Sequence, residues 1–145
     1  MSKKGYFMIK KCDVSLKSVV DGKENKFLSV GQLETFINKI KLYYQENSAT
    51  ICLTFQGVNV WVERKGDYAL RLPLIEGQTS QGEIEFNGNV GHLEIHTHKV
   101  ELSYLKNKLS AHLRYDLLFG DGAQEMELYI RAIVKGEMED KLYEN

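Results

Sequence analysis

The sequence predicts an all-β chain: an antiparallel up-and-down barrel of about eight to ten strands. Three observations predict it. Apolar and polar residues alternate through most of the chain, which puts successive side chains on opposite faces of a strand. Most of the twelve glycines fall between these runs, where tight hairpin turns need positive φ. The connections have hairpin length, so each strand follows its neighbour, and closing such a meander removes the edges an open sheet must protect. A two-sheet β-sandwich shares the same pattern and is the alternative.

The elements follow in order. Cys12, Val14, Leu16 and Val20 share one face of the first strand, and Asp21-Gly22 supplies a hairpin turn. A second strand runs from about Lys26 to Leu33, with Gly31 as a bulge or bend. The pattern from Leu33 to Asn38 is compatible with a short helical turn. Ile40, Leu42 and Tyr44 then form a row, followed by Ile51, Leu53 and Phe55, and by Val58, Val60 and Val62 with Arg64 in the same phase. Tyr68, Leu70, Leu72 and Leu74 form the next inward row. Pro73 lies on the opposite face, and because proline donates no ladder hydrogen bond, that strand is near an edge, short or bulged. A polar connection is expected from Gly77 to Gly82. Ile84 and Phe86 precede the turn Asn87-Gly88-Asn89. Leu93 and Ile95 continue, but Val100 and Leu102 carry the apolar side after a one-residue slip, which predicts a bulge between Thr97 and Lys99. Leu109 to Leu117 form the longest clean row, and Met126, Leu128, Ile130, Ala132 and Val134 the last.

A chain of 145 residues is one domain, 1–145, with a core at about 8–134 and a polar tail, loose or a short surface helix, at 135–145. The formal net charge of -1 gives no electrostatic footprint for nucleic acid. No run approaches the roughly 18 apolar residues of a membrane span. The apolar stretch Tyr6 to Ile9 is too short for a signal-peptide core. Cys12 and Cys52 fall inside strands, where reduced buried cysteines behave as small hydrophobes; a Cys12–Cys52 disulfide stays open as an alternative. The expected location is cytoplasmic.

Three pieces resemble a known family. They are Val62-Glu63-Arg64-Lys65-Gly66, the stretch from Phe86-Asn87-Gly88-Asn89 through His96-Thr97, and Tyr115-Asp116-Leu117. In that order and spacing the chain, from roughly Lys10 to Val134, is similar to the YwiB-like family of uncharacterised bacterial proteins. It departs at the second piece, where Phe86 and Gly88 stand in place of the family's usual tyrosine and threonine. The resemblance implies a calycin or lipocalin-like barrel. The family has no established activity, so no catalytic residue is carried over.

The residues themselves suggest several sites. Arg64 keeps inward phase near one end of the barrel, where a guanidinium needs a carboxylate, carbonyls or a ligand anion. It is a candidate ligand anchor, or a plug bonded to turn carbonyls. Tyr44, Tyr68 and Tyr115 also keep inward phase and suit either a ligand cavity or a filled core. His92, Glu94, His96 and His98 stand two apart, about 6.4–6.8 Å between alternate residues, but on the water side of their strand, so no metal is expected from His92, His96 and His98. Trp61, Tyr43 and Tyr129 point outward. Nucleophile, phosphate-loop and dinucleotide motifs do not occur, and no cofactor is expected.

The functional expectation is a non-enzymatic binding protein that holds a small apolar or amphiphilic molecule in the barrel. Two alternatives stand beside it: an interaction domain with a filled core that works through its outer surface, and a barrel-mouth enzyme with Arg64 as oxyanion or carboxylate clamp. The expected partner is a small-molecule ligand, with a homo-oligomer compatible with the sequence and neither nucleic acid nor membrane expected.

Overall fold

The structure is a computed structural model that describes the backbone of residues 4–144 and the side chains of residues 8–135. Ten antiparallel strands form it: β1(Lys4–Val20), β2(Lys23–Thr35), β3(Ile40–Glu46), β4(Ala49–Gln56), β5(Asn59–Lys65), β6(Ala69–Ile75), β7(Thr79–Phe86), β8(Asn89–Leu105), β9(Lys108–Phe119) and β10(Gly122–Glu144). Each pairs with the next in sequence, and β1 pairs with β10 to close the barrel. No α-helix occurs among the described residues. The up-and-down barrel is therefore the fold.

Turn chemistry drives the meander. Asp21 and Gly22 have φ of 49° and 83°, and Asn87 and Gly88 have 52° and 78°. Paired left-handed residues of this kind match the right-handed twist of flanking strands. The expected bulge is present: the β8–β9 register shifts between Thr97 and Lys99. Pro73 pairs with Trp61 of β5, while the β6–β7 ladder runs only over Ala69–Arg71, so the missing N–H falls on an unpaired edge.

Several expectations are corrected. Gly31 makes no bulge, because β2 pairs in continuous register with β1. A Cβ at Gly31 would meet the Tyr43 carbonyl oxygen at 2.5 Å and Val14 Cγ2 at 2.7 Å, so close approach of β3 explains the glycine. Val58 lies in the two-residue turn between Gln56 and Asn59, 71% exposed. The stretch after Leu33 continues as strand to Thr35, then turns through a Phe36 N–H to Lys39 carbonyl bond. Thr79 to Gly82 already belong to β7. Residues 135–144, expected as a tail, continue β10 as a ladder with the start of β1. Backbone pairing builds that ribbon without an apolar row to mark it in sequence.

Strand length shapes the barrel. β2 pairs with β1 along Lys23–Thr35 but with β3 only from Gly31. β8 pairs with β9 up to Leu105 but with β7 only up to His96. The five long strands thus form a sheet, in the order β2-β1-β10-β9-β8, whose two edges run free beyond the short strands β3 to β7. The inward rows fill the space between. Cys12, Leu33, Leu42, Leu53, Leu74, Ile95, Leu109, Leu113 and Ala132 are each 0% exposed. A side chain with no accessible surface lines no void that admits a water molecule, so these rows are packed against one another.

Candidate functional site

Arg64 and Tyr68 come together, and their partners are local. The Arg64 Nη1 donates to the Tyr68 carbonyl at 2.7 Å, and Nη2 donates to Asp67 Oδ1 at 2.9 Å. The guanidinium carbon sits 3.7 Å from the Tyr68 ring centroid. Tyr68 itself stands in the β5–β6 turn, outside the inward row in which it was expected. The Arg64 hydrogen bond and charge hold the Asp67 carboxyl below its ordinary range. The guanidinium thus clasps its own hairpin at one end of the barrel.

Tyr44 and Tyr115 are buried at 4% and 2% exposure. Burial pushes both phenols up, with Glu46 and then Tyr115 adding to the effect at Tyr44. Tyr44 packs its ring 5.9 Å from that of Phe27. Tyr44, Ile51 and Arg64 are consecutive partners across β3, β4 and β5, which sets Tyr44 and Arg64 two strands, about 10 Å, apart. Cys12 and Cys52 are both free, and burial raises the Cys12 thiol to about 11.

The histidines divide. His96 and His98 meet edge to face, 4.8 Å between ring centroids. His96 Nδ1 lies 3.0 Å from Thr79 Oγ1, and His98 Nε2 lies 2.8 Å from Asp116 Oδ2. Among the described residues no three His, Cys, Asp or Glu side chains converge to hold a metal. Trp61 and Tyr43 lie on the short strands and Tyr129 on β10, so the outward aromatics do not form one cluster.

A cleft of about 1090 Å³ crosses all five long strands. Six lining residues are inward by pairing, Phe27, Leu16, Ile130, Ala111, Leu102 and Val100, and of these Leu16, Ala111 and Ile130 are 4%, 5% and 3% exposed. The other ten lining residues point outward on either side of that row, which places the cleft on the outer face. Ladder pairing arranges those outward residues in two rows. One is Lys26, Lys17, Tyr129, His112 and Glu101; the other is Leu28, Ser15, Arg131, Ser110 and Ser103.

The first row is closed by its own contacts. Tyr129 stacks on His112 with centroids 4.2 Å apart and planes at 13°, while Lys17 Nζ lies 4.3 Å from the same ring. His112 Nε2 sits 2.6 Å from Glu127 Oε2, which also accepts from Tyr129 Oη at 2.9 Å. His112 Nδ1 is 3.5 Å from Glu101, which Lys99 approaches at 3.3 Å. The His112 bond holds the Glu127 carboxyl below its usual value, Lys99 chiefly does the same for Glu101, and the bond to Glu127 raises the Tyr129 phenol.

The second row is open. Arg131, Ser15, Ser110 and Ser103 make no side-chain hydrogen bond or ion pair among the described residues. Leu28, at one end of the row, is 83% exposed. The sequence singles out Arg64 and gives no sign of Arg131, which stands on the outward side of its strand between Ile130 and Ala132 as any solvated residue would.

The fold is shared with a solved protein. The crystal structure of the YwiB protein from Bacillus subtilis matches with a TM-score of 0.75 and 17% identity, covering 88% of this chain and 94% of that chain. No curated protein matches the chain. Residues 14–130 match the family described as Domain of unknown function (DUF1934). That match spans most of the barrel, from β1 into β10, including every strand that borders the outer cleft, and the chain belongs to this family.

Proposed function

We propose that the protein is a non-enzymatic cytoplasmic binding protein for a small amphiphilic molecule, and that the outer cleft holds the ligand. One observation carries the reading: the molecule offers an open volume of about 1090 Å³ on the long-strand sheet, while its inward rows contain side chains at 0% exposure. Sites for small ligands combine apolar surface with a few polar groups that fix orientation, and the exposed Leu28 stands in one row with hydroxyls and a charge here. A ligand between the sheets would have to separate packed leucines first. The reduced cysteines support the cytoplasmic reading.

Octyl glucoside, an uncharged amphiphile, tests the cleft. Leu28→Asp places a charge on the cleft wall, at a residue already exposed, and is expected to weaken octyl glucoside binding at least tenfold in calorimetric titration with the melting temperature unchanged. Equal affinity in the two proteins contradicts the cleft.

A second reading rests on the free strand edges. β2 from Lys23 to Val30 and β8 from His98 to Leu105 each lack a neighbour on one side, and such edges accept an added strand from a partner protein. The Val100 N–H is already taken by Glu76 Oε1 at 2.8 Å, which caps part of the β8 edge. An interaction domain working through its surface would use these edges.

A further inference from the structure

We propose that the cleft seats an oxyanion, a phosphoryl or carboxylate head, on Arg131 between Ser15 and Ser110. The inference rests on the cleft reading and deepens it by naming the chemistry of the head. Three observations lead there.

The first is position. Arg131 on β10 stands directly opposite Ser15 of β1 on one side and Ser110 of β9 on the other. Directly opposed residues have Cβ atoms about 4.5–5.5 Å apart. One planar guanidinium is therefore flanked by two hydroxyls, a donor set that matches oxygens spread around a phosphorus or carboxyl carbon.

The second is the state of the charges that face the cleft. The residues that line the cleft bring three cations, Lys17, Lys26 and Arg131, against one carboxylate, Glu101. Glu101 has Lys99 at 3.3 Å, and around the cleft Asp13 has Lys135 at 3.5 Å, Glu24 has Lys17 at 3.5 Å, and Glu127 is held by hydrogen bonds with His112 and Tyr129. Arg131 and Lys26 have no such partner among the described residues. The unmatched charge of the cleft is positive.

The third is a second cation beside the first. Lys26 stands opposite Lys17 across β1 and β2, and the Lys17 ammonium is already engaged by Glu24 and the Tyr129 ring. Like charges placed opposite each other destabilise a sheet, so an anion in the cleft gains from Lys26 as well as from Arg131. Leu28, the partner of Ser15, lies two strands from Arg131, about 10 Å, so an apolar tail leaving the head reaches it.

Calorimetric titration of the full chain with octyl phosphate, inorganic phosphate and octyl glucoside tests this. In the Arg131→Gln variant, octyl phosphate is expected to bind at least tenfold more weakly, with octyl glucoside affinity and melting temperature unchanged. The Ser15→Ala, Ser110→Ala double variant is expected to lose severalfold for octyl phosphate alone. Inorganic phosphate binding that also depends on Arg131 identifies the source as a free oxyanion. Dependence on Arg131 seen only with octyl phosphate identifies an amphiphile's headgroup. If Arg131→Gln binds octyl phosphate as tightly as the wild type while Leu28→Asp weakens both amphiphiles, the oxyanion seat is overturned and the cleft stands. If neither amphiphile binds, or Leu28→Asp changes nothing, both fall.

Discussion

Thr97 is the residue most at odds with its surroundings. It is 0% exposed, and its Oγ1 is the buried side-chain polar atom without a hydrogen-bond partner among the described residues. Its backbone is well used: the N–H donates to the Gln78 carbonyl, and the carbonyl accepts from Gly77. Those bonds anchor the β6–β7 connection beside the β8 bulge and survive any change of side chain. An unsatisfied buried hydroxyl costs roughly 1–3 kcal/mol. Thr97→Val keeps the β-branched shape and removes the hydroxyl, so it is expected to stabilise the protein by about 1 kcal/mol, read by chemical denaturation. A destabilised variant would mean that the hydroxyl has a partner. Arg64 shows the opposite arrangement, with its donors bonded to its own turn. An inward-phase arginine near a strand end looks like a site, whereas Arg131 looks like any solvated residue, because only ladder pairing reveals the serines on both sides and the carboxylates already taken.

The elements were legible where one face of a strand is buried. Leu109, Ala111, Leu113, Tyr115 and Leu117 alternate without error and are all buried. The bulge after Thr97 showed as a phase slip, since a one-residue shift moves every later side chain to the other face. The second half of β10 was not legible, because pairing with β1 needs no apolar row there. Nor was the outer contact chain, whose members come from four strands that only closure of the barrel aligns. That chain has a titration signature. The His112 hydrogen bond is the leading cause that depresses Glu127. A depressed folded value means the contribution is present above the ordinary carboxylate value of 4.5 and is lost as pH falls through the lower folded value. His112→Ala removes the leading cause, so the Glu127 pKa followed by carboxyl NMR is expected to rise toward 4.5. An unchanged Glu127 in that variant would assign the depression to Tyr129 and Arg114 instead.

At the scale of the whole molecule, unequal strand lengths decide where a ligand can go. The short strands β3 to β7 fold back over the inner face of the long-strand sheet, and the leucine rows meet without water-sized gaps. Ten strands alone suggest a hollow barrel, since small barrels of eight are about wide enough to fill or to hold one ligand. Periodicity says which residues face inward but not how closely opposite rows approach, so a ligand in the barrel was the expectation and a filled core the alternative. The outer face of the same sheet carries the open volume, the unpartnered arginine and the exposed leucine. The central claim is that small molecules meet this protein on the outside of its barrel. The most direct measurement is an NMR titration of the labelled chain with octyl phosphate, following backbone amides and leucine methyls together. The account predicts shifts at Ser15, Lys17, Leu28, Ser110 and Arg131, with the methyls of Leu33, Leu53 and Leu113 unmoved; shifts concentrated on those inward methyls, with the outer rows silent, would contradict it.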